Sequence, residues 1–138
     1  MKQIMIDTNI FDKLIADPYF PDIWNALEDQ RITFITTPIQ EEEINQIVED
    51  RKRQLRQSIP RKVVPCPGVS EIHQDDKHKN DRLIVEAAIE SADALITEDQ
   101  TLIEWCIVHR PDLTIITYQQ FLIWFLQLEQ PHPQKYRE

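Results

Sequence analysis

Acidic residues at four places along the chain could act together: Asp7, the run Glu41-Glu42-Glu43, Asp81 and Asp99. Asp7 ends the apolar run Ile4-Met5-Ile6, and Asp99 lies just past Ala94-Leu95-Ile96-Thr97. The glutamates fall in the first helical turn after the β-rich stretch 31–36. In a parallel sheet the strand ends point the same way, and ligands bind beyond those carboxyl ends. Three of the four positions therefore fall on one edge. Asp81 joins them if the start of its helix folds back over that edge. Two carboxylates about 4 Å apart repel by roughly 4 kcal/mol at an effective dielectric near 20. Protonation or a bound cation must relieve that cost. An all-oxygen ligand set selects Mg²⁺ or Mn²⁺ over zinc. Such an ion acidifies water and neutralises charge on a leaving oxygen, which is the chemistry of phosphodiester hydrolysis.

Each acid also has an ordinary explanation. Asp7-Thr8-Asn9 and Asp99 precede helical patterns, where Asp, Thr and Asn cap helices well. Glutamates gain about 0.3–1 kcal/mol each at a helix N-terminus. That accounts for a glutamate there without choosing among the three.

The elements that must position these residues follow from periodicity. Residues 2–6 form a first buried strand, and Ile10, Phe11, Leu14 and Ile15 follow at helical spacing. A short second helix spans 22–29 and a second strand 31–36. Thr37-Pro38-Ile39-Gln40 combines a capping box with proline at the first helical position. The helix it starts carries Ile44, Ile47, Val48 and Leu55, and so runs on into a basic stretch. Residues 62–65 read as a short edge strand. Asp81 opens a helix with Leu83, Ile84, Ala87 and Ala88 on one face, delivering into the strand 94–97. Residues 100–109 form an amphipathic helix and 113–116 a last strand. Thr117 and Gln120 form a second capping box, opening a helix lined by Phe121, Leu122, Phe125 and Leu128. Trp124 and Leu126 add apolar surface off that face, suited to core, a partner or a second copy in a homodimer. The alternation of strand and helix gives an α/β class with a parallel sheet.

Composition narrows the function. The 138 residues suit one domain, residues 1–129, with a poorly ordered tail at 130–138 that holds Pro131 and Pro133. No apolar run approaches a membrane span, and the first residues lack a signal-peptide layout, so a soluble cytoplasmic protein is expected. Cys66 and Cys106 offer neither a disulfide framework nor a four-cysteine zinc site. The single glycine, Gly68, excludes dinucleotide and phosphate-binding loops and the GxSxG elbow, each of which needs at least two. Residues 66–79 read as a loop beside a site. Its His73, Asp75, Asp76 and His78 have no common zinc spacing.

Net charge is −9, from 15 basic and 24 acidic residues. Bulk charge therefore opposes nucleic acid, and binding needs a local basic patch or metal ions. Residues 50–62 hold Arg51, Lys52, Arg53, Arg56, Arg61 and Lys62. The stretch reads as a solvated helix face or as a phosphate-contacting patch, with Arg51, Lys52, Arg53 and Arg56 as its contacts.

Taken together, the segments resemble the PIN-domain nucleases, including the VapC-type toxins of prokaryotic toxin–antitoxin pairs. The matching stretches are Met5-Ile6-Asp7-Thr8-Asn9, Thr37-Pro38 through Glu43-Ile44, Asn80-Asp81-Arg82-Leu83-Ile84 with Ala87-Ala88, and Leu95-Ile96-Thr97-Glu98-Asp99. The last, with its Ala-Asp-Ala lead-in, is the most specific. The likeness runs from Ile4 to about Phe121. It implies a three-layer α/β/α sandwich on a parallel sheet of about four to five strands, and Mg²⁺- or Mn²⁺-dependent cleavage of RNA. It makes Asp7, Asp81 and Asp99 metal-binding catalytic acids. It prefers Glu43 as the fourth, because Glu43 precedes the aliphatic Ile44, with Glu42 as the second choice. Thr8 and Asn9 would orient Asp7 or a bound water, and Thr97 would support Asp99. An antitoxin protein would be a partner.

The expectation is thus a metal-dependent endoribonuclease acting on an RNA substrate. The alternative is a non-catalytic PIN-like module that binds RNA or protein. A phosphatase or phosphoryl-accepting receiver using Asp7 would normally show a second aspartate two residues on, where this chain has Asn9.

Overall fold

Residues along the central strands alternate between two cores. In the computed structural model, which describes residues 2–67 and 79–129, Ile4 and Ile6 of strand β1 (Gln3–Ile6) enter one core and Met5 enters the other. Phe34 and Ile35 of β2 (Thr33–Thr36) divide in the same way, as do Ile96 and Leu95 of β4 (Ala94–Ile96). A period of two sends successive side chains to opposite faces. Apolar residues at every step mean that both faces are covered, as parallel sheets require.

The helices supply the covers. On the first face lie α1 (Ile10–Ala16), α2 (Phe20–Glu28), α3 (Pro38–Asn45) and α7 (Tyr118–Glu129), packing Phe11, Leu14, Ile23, Ile44, Phe121 and Phe125 against the sheet. On the second lie α5 (Lys79–Ser91) and α6 (Gln100–His109), through Ile84, Val85, Ala88, Leu102 and Cys106. The architecture is a three-layer α/β/α sandwich on an all-parallel five-stranded sheet.

Strand order is β3-β2-β1-β4-β5, with β3 (Lys62–Val63) and β5 (Ile115–Ile116) at the edges. The chain builds outward from β1 to β3, then crosses to the other side of β1 for β4 and β5. Right-handed crossovers taken in opposite directions place their helices on opposite faces. The point of reversal lies between β1 and β4, where a crevice opens beyond the strand ends.

Both capping boxes form. Thr37 and Gln40 exchange backbone-to-side-chain bonds of 2.9 and 3.4 Å, and Thr117 and Gln120 do the same at 2.9 and 3.2 Å. Buried Gln40 goes further, because its amide also donates to the Ile6 carbonyl. It thereby ties the start of α3 to the last residue before Asp7. Across the sheet, exposed Asp93 accepts from the Lys2 and Gln3 amides at 2.9 and 2.8 Å and pins the opposite end of β1.

One element differs from the sequence reading. The helix expected to continue from Pro38 through the basic stretch is two helices, α3 and α4 (Asp50–Ser58), separated by 46–49. Val48, read there as apolar helix face, is 93% exposed. With Glu42, Glu43, Asn45 and Gln46 around it, the α3 surface beyond Ile44 holds too little apolar area to extend the stripe. The calls on the 66–79 loop and on the 130–138 tail fall largely or wholly outside the described residues. Among the described residues no helix is long and apolar enough to cross a membrane.

Replacing Gln40 by Ala removes a buried donor and leaves the Thr37 amide without its side-chain acceptor. Stability should fall by about 1–3 kcal/mol, read from urea unfolding. A change within about 0.5 kcal/mol, the range of an ordinary surface site, would show that the link is idle.

Candidate active site

Parallel pairing aligns the residues after β1 and β4. Ile6 is in register with Ile96, and the Asp7 amide donates to the Ile96 carbonyl at 3.0 Å. Asp7 and Thr97 are therefore neighbours at the crevice. The buried Thr97 hydroxyl donates to Asp7 Oδ2 at 2.6 Å and accepts from the Asp99 amide at 3.1 Å. Asp7 Oδ1 accepts from the Thr8 amide at 2.8 Å. Each oxygen of Asp7 thus has one donor, and an ionised carboxylate keeps further lone pairs beyond those.

Asp99 performs its ordinary role and another besides. It is the N-cap of α6, with Oδ1 accepting from the Leu102 amide at 3.2 Å, and its charge also acts on Asp7. The two acids stand on the same edge of the sheet, as the parallel-strand argument expects.

The glutamate run resolves into three fates. Glu41 is clamped by Arg61, whose Nε and Nη2 each donate at 2.7 Å, and by the Thr36 hydroxyl at 2.6 Å. Glu42 is exposed and takes a 3.4 Å bond from Gln46 along its own helix. Glu43 faces the charges of Asp7 and Asp81. Glu43 is thus a member of the run on which the charges of Asp7 and Asp81 act, although it is exposed, as Glu42 is. Asp81, in the first turn of α5, reaches the same region through that helix start.

Electrostatics record the crowding. Burial raises the Asp7 carboxyl above its ordinary value, and the Asp99 charge adds to the rise against the Thr97 and Thr8 hydrogen bonds. Glu43 is raised first by burial and then by Asp7 and Asp81. Glu41 moves the opposite way: burial works against ionisation, but Arg61 and Thr36 outweigh it and hold the carboxyl low.

The donor set suits a hard divalent cation, being all oxygen and short of positive charge. The Thr8 hydroxyl is buried with no hydrogen-bond partner among the described residues, a polar atom that a coordinated water could satisfy. Among the described residues, however, no three His, Cys, Asp or Glu side chains already stand close enough to cage an ion. Binding one would require the four carboxylates to draw together.

One sequence assignment changes. Arg56, read as an RNA contact, is only 4% exposed. It pairs with Asp12 and donates to the Lys52 carbonyl at 3.1 Å, so it fastens α4 to α1 and does not face solvent. Arg53 is engaged with Asp50 at 2.6 Å and with the Ile47 carbonyl at 2.8 Å. Arg51 and Lys52 remain exposed. Asn9 is exposed at the N-cap of α1, with no side-chain capping bond.

Arg82, Thr101 and Trp105 were not among the expected site residues. They line a cleft of about 220 Å³ together with Asp81, Asp99 and Leu102. Their signal in the sequence is adjacency: Arg82 follows Asp81, and Trp105 lies on the helix that Asp99 caps.

A carboxyl whose folded-state pKa is raised withdraws stability as pH rises. Below its ordinary value of 3.8 Asp7 is neutral folded and unfolded, and above the raised folded value the whole penalty is present. In metal-free buffer, Asp7→Asn should therefore melt higher than wild type near neutral pH, by about 2–4 °C for each 1 kcal/mol relieved. The gain should shrink as pH falls through that window. A variant that melts lower than wild type at pH 7 would mean that the Asp7 charge stabilises the fold.

No family model matches the chain, and no curated protein matches it. Among solved structures it is similar to a chain of VapBC2 from Rickettsia felis, crystallised bound to a DNA fragment from its promoter. The TM-score is 0.54 at 18% identity, over 83% of this chain and 98% of that one. At that identity the likeness speaks to architecture, and the chain shares a PIN-like α/β fold with this neighbour.

Proposed function

We propose that the protein is a Mg²⁺- or Mn²⁺-dependent endoribonuclease, with Asp7, Glu43, Asp81 and Asp99 holding the ion. The observation that supports this most is the shared strand edge of Asp7 and Asp99, joined through the Thr97 hydroxyl, with the charges of Asp7 and Asp81 acting on Glu43. A fold gains nothing from gathering like charges, so the arrangement calls for a positive partner.

A bound divalent ion supplies Lewis-acid polarisation of the phosphodiester and acidifies water. The chain's own residues do the positioning. Thr97 fixes Oδ2 of Asp7 and the Asp99 backbone with one hydroxyl. The Thr8 amide fixes Oδ1. The Leu102 amide holds one oxygen of Asp99 and leaves the other for a ligand. Arg61 neutralises Glu41 and keeps a fifth acid out of the cluster. Arg51 and Lys52 are the basic residues of α4 free to meet an RNA backbone.

The neighbour in Rickettsia felis is described as a VapBC2 complex on promoter DNA. By analogy with it, we further propose a toxin role in the cytoplasm, with an antitoxin protein as partner and a homodimer as the protein's own assembly. A non-catalytic module that binds RNA or protein is the competing reading, favoured by the open spacing of the acids.

Incubation with a panel of single-stranded and hairpin RNAs tests the assignment. Wild type should cut in Mg²⁺ or Mn²⁺ and not in EDTA, and Asp7→Asn should be inactive in both. Thr97→Val keeps the shape but loses the hydroxyl, and should lower activity or metal affinity by about 10–100-fold. Equal cleavage in EDTA would sink the mechanism, and RNA binding without turnover in any metal would favour the competing reading.

A further inference from the structure

We propose that the cleft beside Asp81 and Asp99 is a nucleobase subsite, in which Trp105 and Arg82 take one unpaired base of a single-stranded RNA. The inference rests on the nuclease reading for the position of the neighbouring phosphate, and its test separates the two.

The cleft joins two kinds of wall. One is the start of α5, with Asp81 and Arg82; the other is the start of α6, with Asp99, Leu102 and Trp105, and Thr101 exposed. The Arg82 guanidinium lies over the Trp105 ring, 5.3 Å from its centroid. On the same helix His109 stacks with Trp105 at 4.7 Å and an interplanar angle of 15°. Trp105 is half-buried and packs against the second core, which holds the ring in place before any ligand arrives. Unpaired bases are recognised by stacking on aromatic rings and guanidinium planes. Here His109 already stacks on the ring and Arg82 lies over it, so the base enters between Trp105 and Arg82 and takes the guanidinium's place on the indole.

Size and charge point to the same ligand. About 220 Å³ falls below the roughly 300–1,000 Å³ of pockets for drug-sized ligands. That suits a single base with part of its sugar. A base inside a duplex could not enter, so the subsite selects single strands, loops or bulges. A chain of net charge −9 has weak bulk attraction for a polyanion. Stacking supplies attraction that does not depend on charge and tolerates any base. Asp81 and Asp99 line the same cleft, so a phosphate next to the seated base would meet the cation that these acids would hold, and the seated base sets which bond is presented.

The experiment measures binding in the full-length Asp7→Asn protein with Mg²⁺ present. Its probes are a fluorescent hexauridylate, a hexa-abasic strand of the same length and an RNA duplex. Trp105→Ala should weaken hexauridylate binding about tenfold and leave the abasic strand unaffected, whereas Trp105→Phe should retain most of the affinity. The tenfold factor should be the same at low and high salt, unlike a phosphate contact. Thr101→Met, at an exposed rim position outside the core, should also weaken hexauridylate by filling the cleft. It covers the case in which Trp105→Ala does not fold. The proposal is overturned if hexauridylate and the abasic strand lose equally, if neither Trp105→Ala nor Thr101→Met alters hexauridylate binding, or if the duplex binds as well as the single strand. Trp105-dependent binding by a protein that never cuts RNA would retain the subsite and remove the nuclease. Unchanged single-strand affinity in an enzyme that does cut would do the reverse.

Discussion

Like charge held at one edge of a parallel sheet is the constraint on which this structure turns. Asp7 and Asp99 follow adjacent strands, and the register that pairs Ile6 with Ile96 sets Asp7 beside Thr97, two residues before Asp99. The fold tolerates the repulsion through one hydroxyl, since Thr97 gives its hydrogen to Asp7 and takes one from the Asp99 amide. Charge-assisted hydrogen bonds of this kind are among the stronger ones a protein makes. They work against desolvation of the carboxylate without cancelling its charge.

Around that edge the structure also ties up charged residues in packing. Glu41 lies two residues from Glu43 and is fully occupied by Arg61 and Thr36. Arg61 is itself packed over the Phe11 ring at 5.4 Å and bonded to the Ile59 carbonyl at 3.0 Å. Arg56 is spent on Asp12. Two arginines of a stretch that looks like a nucleic-acid patch thus serve the packing of α4 against its neighbours. The guanidinium suits that role, because its planar fork can satisfy several acceptors while its stem is buried.

Much of this was legible in the residues, for identifiable reasons. Strands with apolar residues at every position signal burial on both faces, and the two Thr-x-x-Gln boxes mark helix starts that the structure keeps. The positions of Asp7 and Asp99 follow from strand parallelism alone. The engagement of Glu41 did not, because it depends on where Arg61 lies, 20 residues further on. The break at 46–49 was hidden by Ile47 and Val48, whose types continue a helical stripe although Val48 has nothing to pack against. The Arg82–Trp105 wall was invisible for a similar reason, since it joins two helices by a contact no local pattern encodes.

The central strand is also the first one made. β1 can be flanked on its second side only when β4 appears, and the hydroxyl that steadies Asp7 lies 90 residues further along the chain. At about 5–20 residues per second, a ribosome needs on the order of 5–20 s to cover that distance. Most of the polypeptide therefore exists before its acidic edge does. A product released short of Thr97 would carry Asp7, Glu43 and Asp81 but lack both the strand and the hydroxyl that bring the edge together.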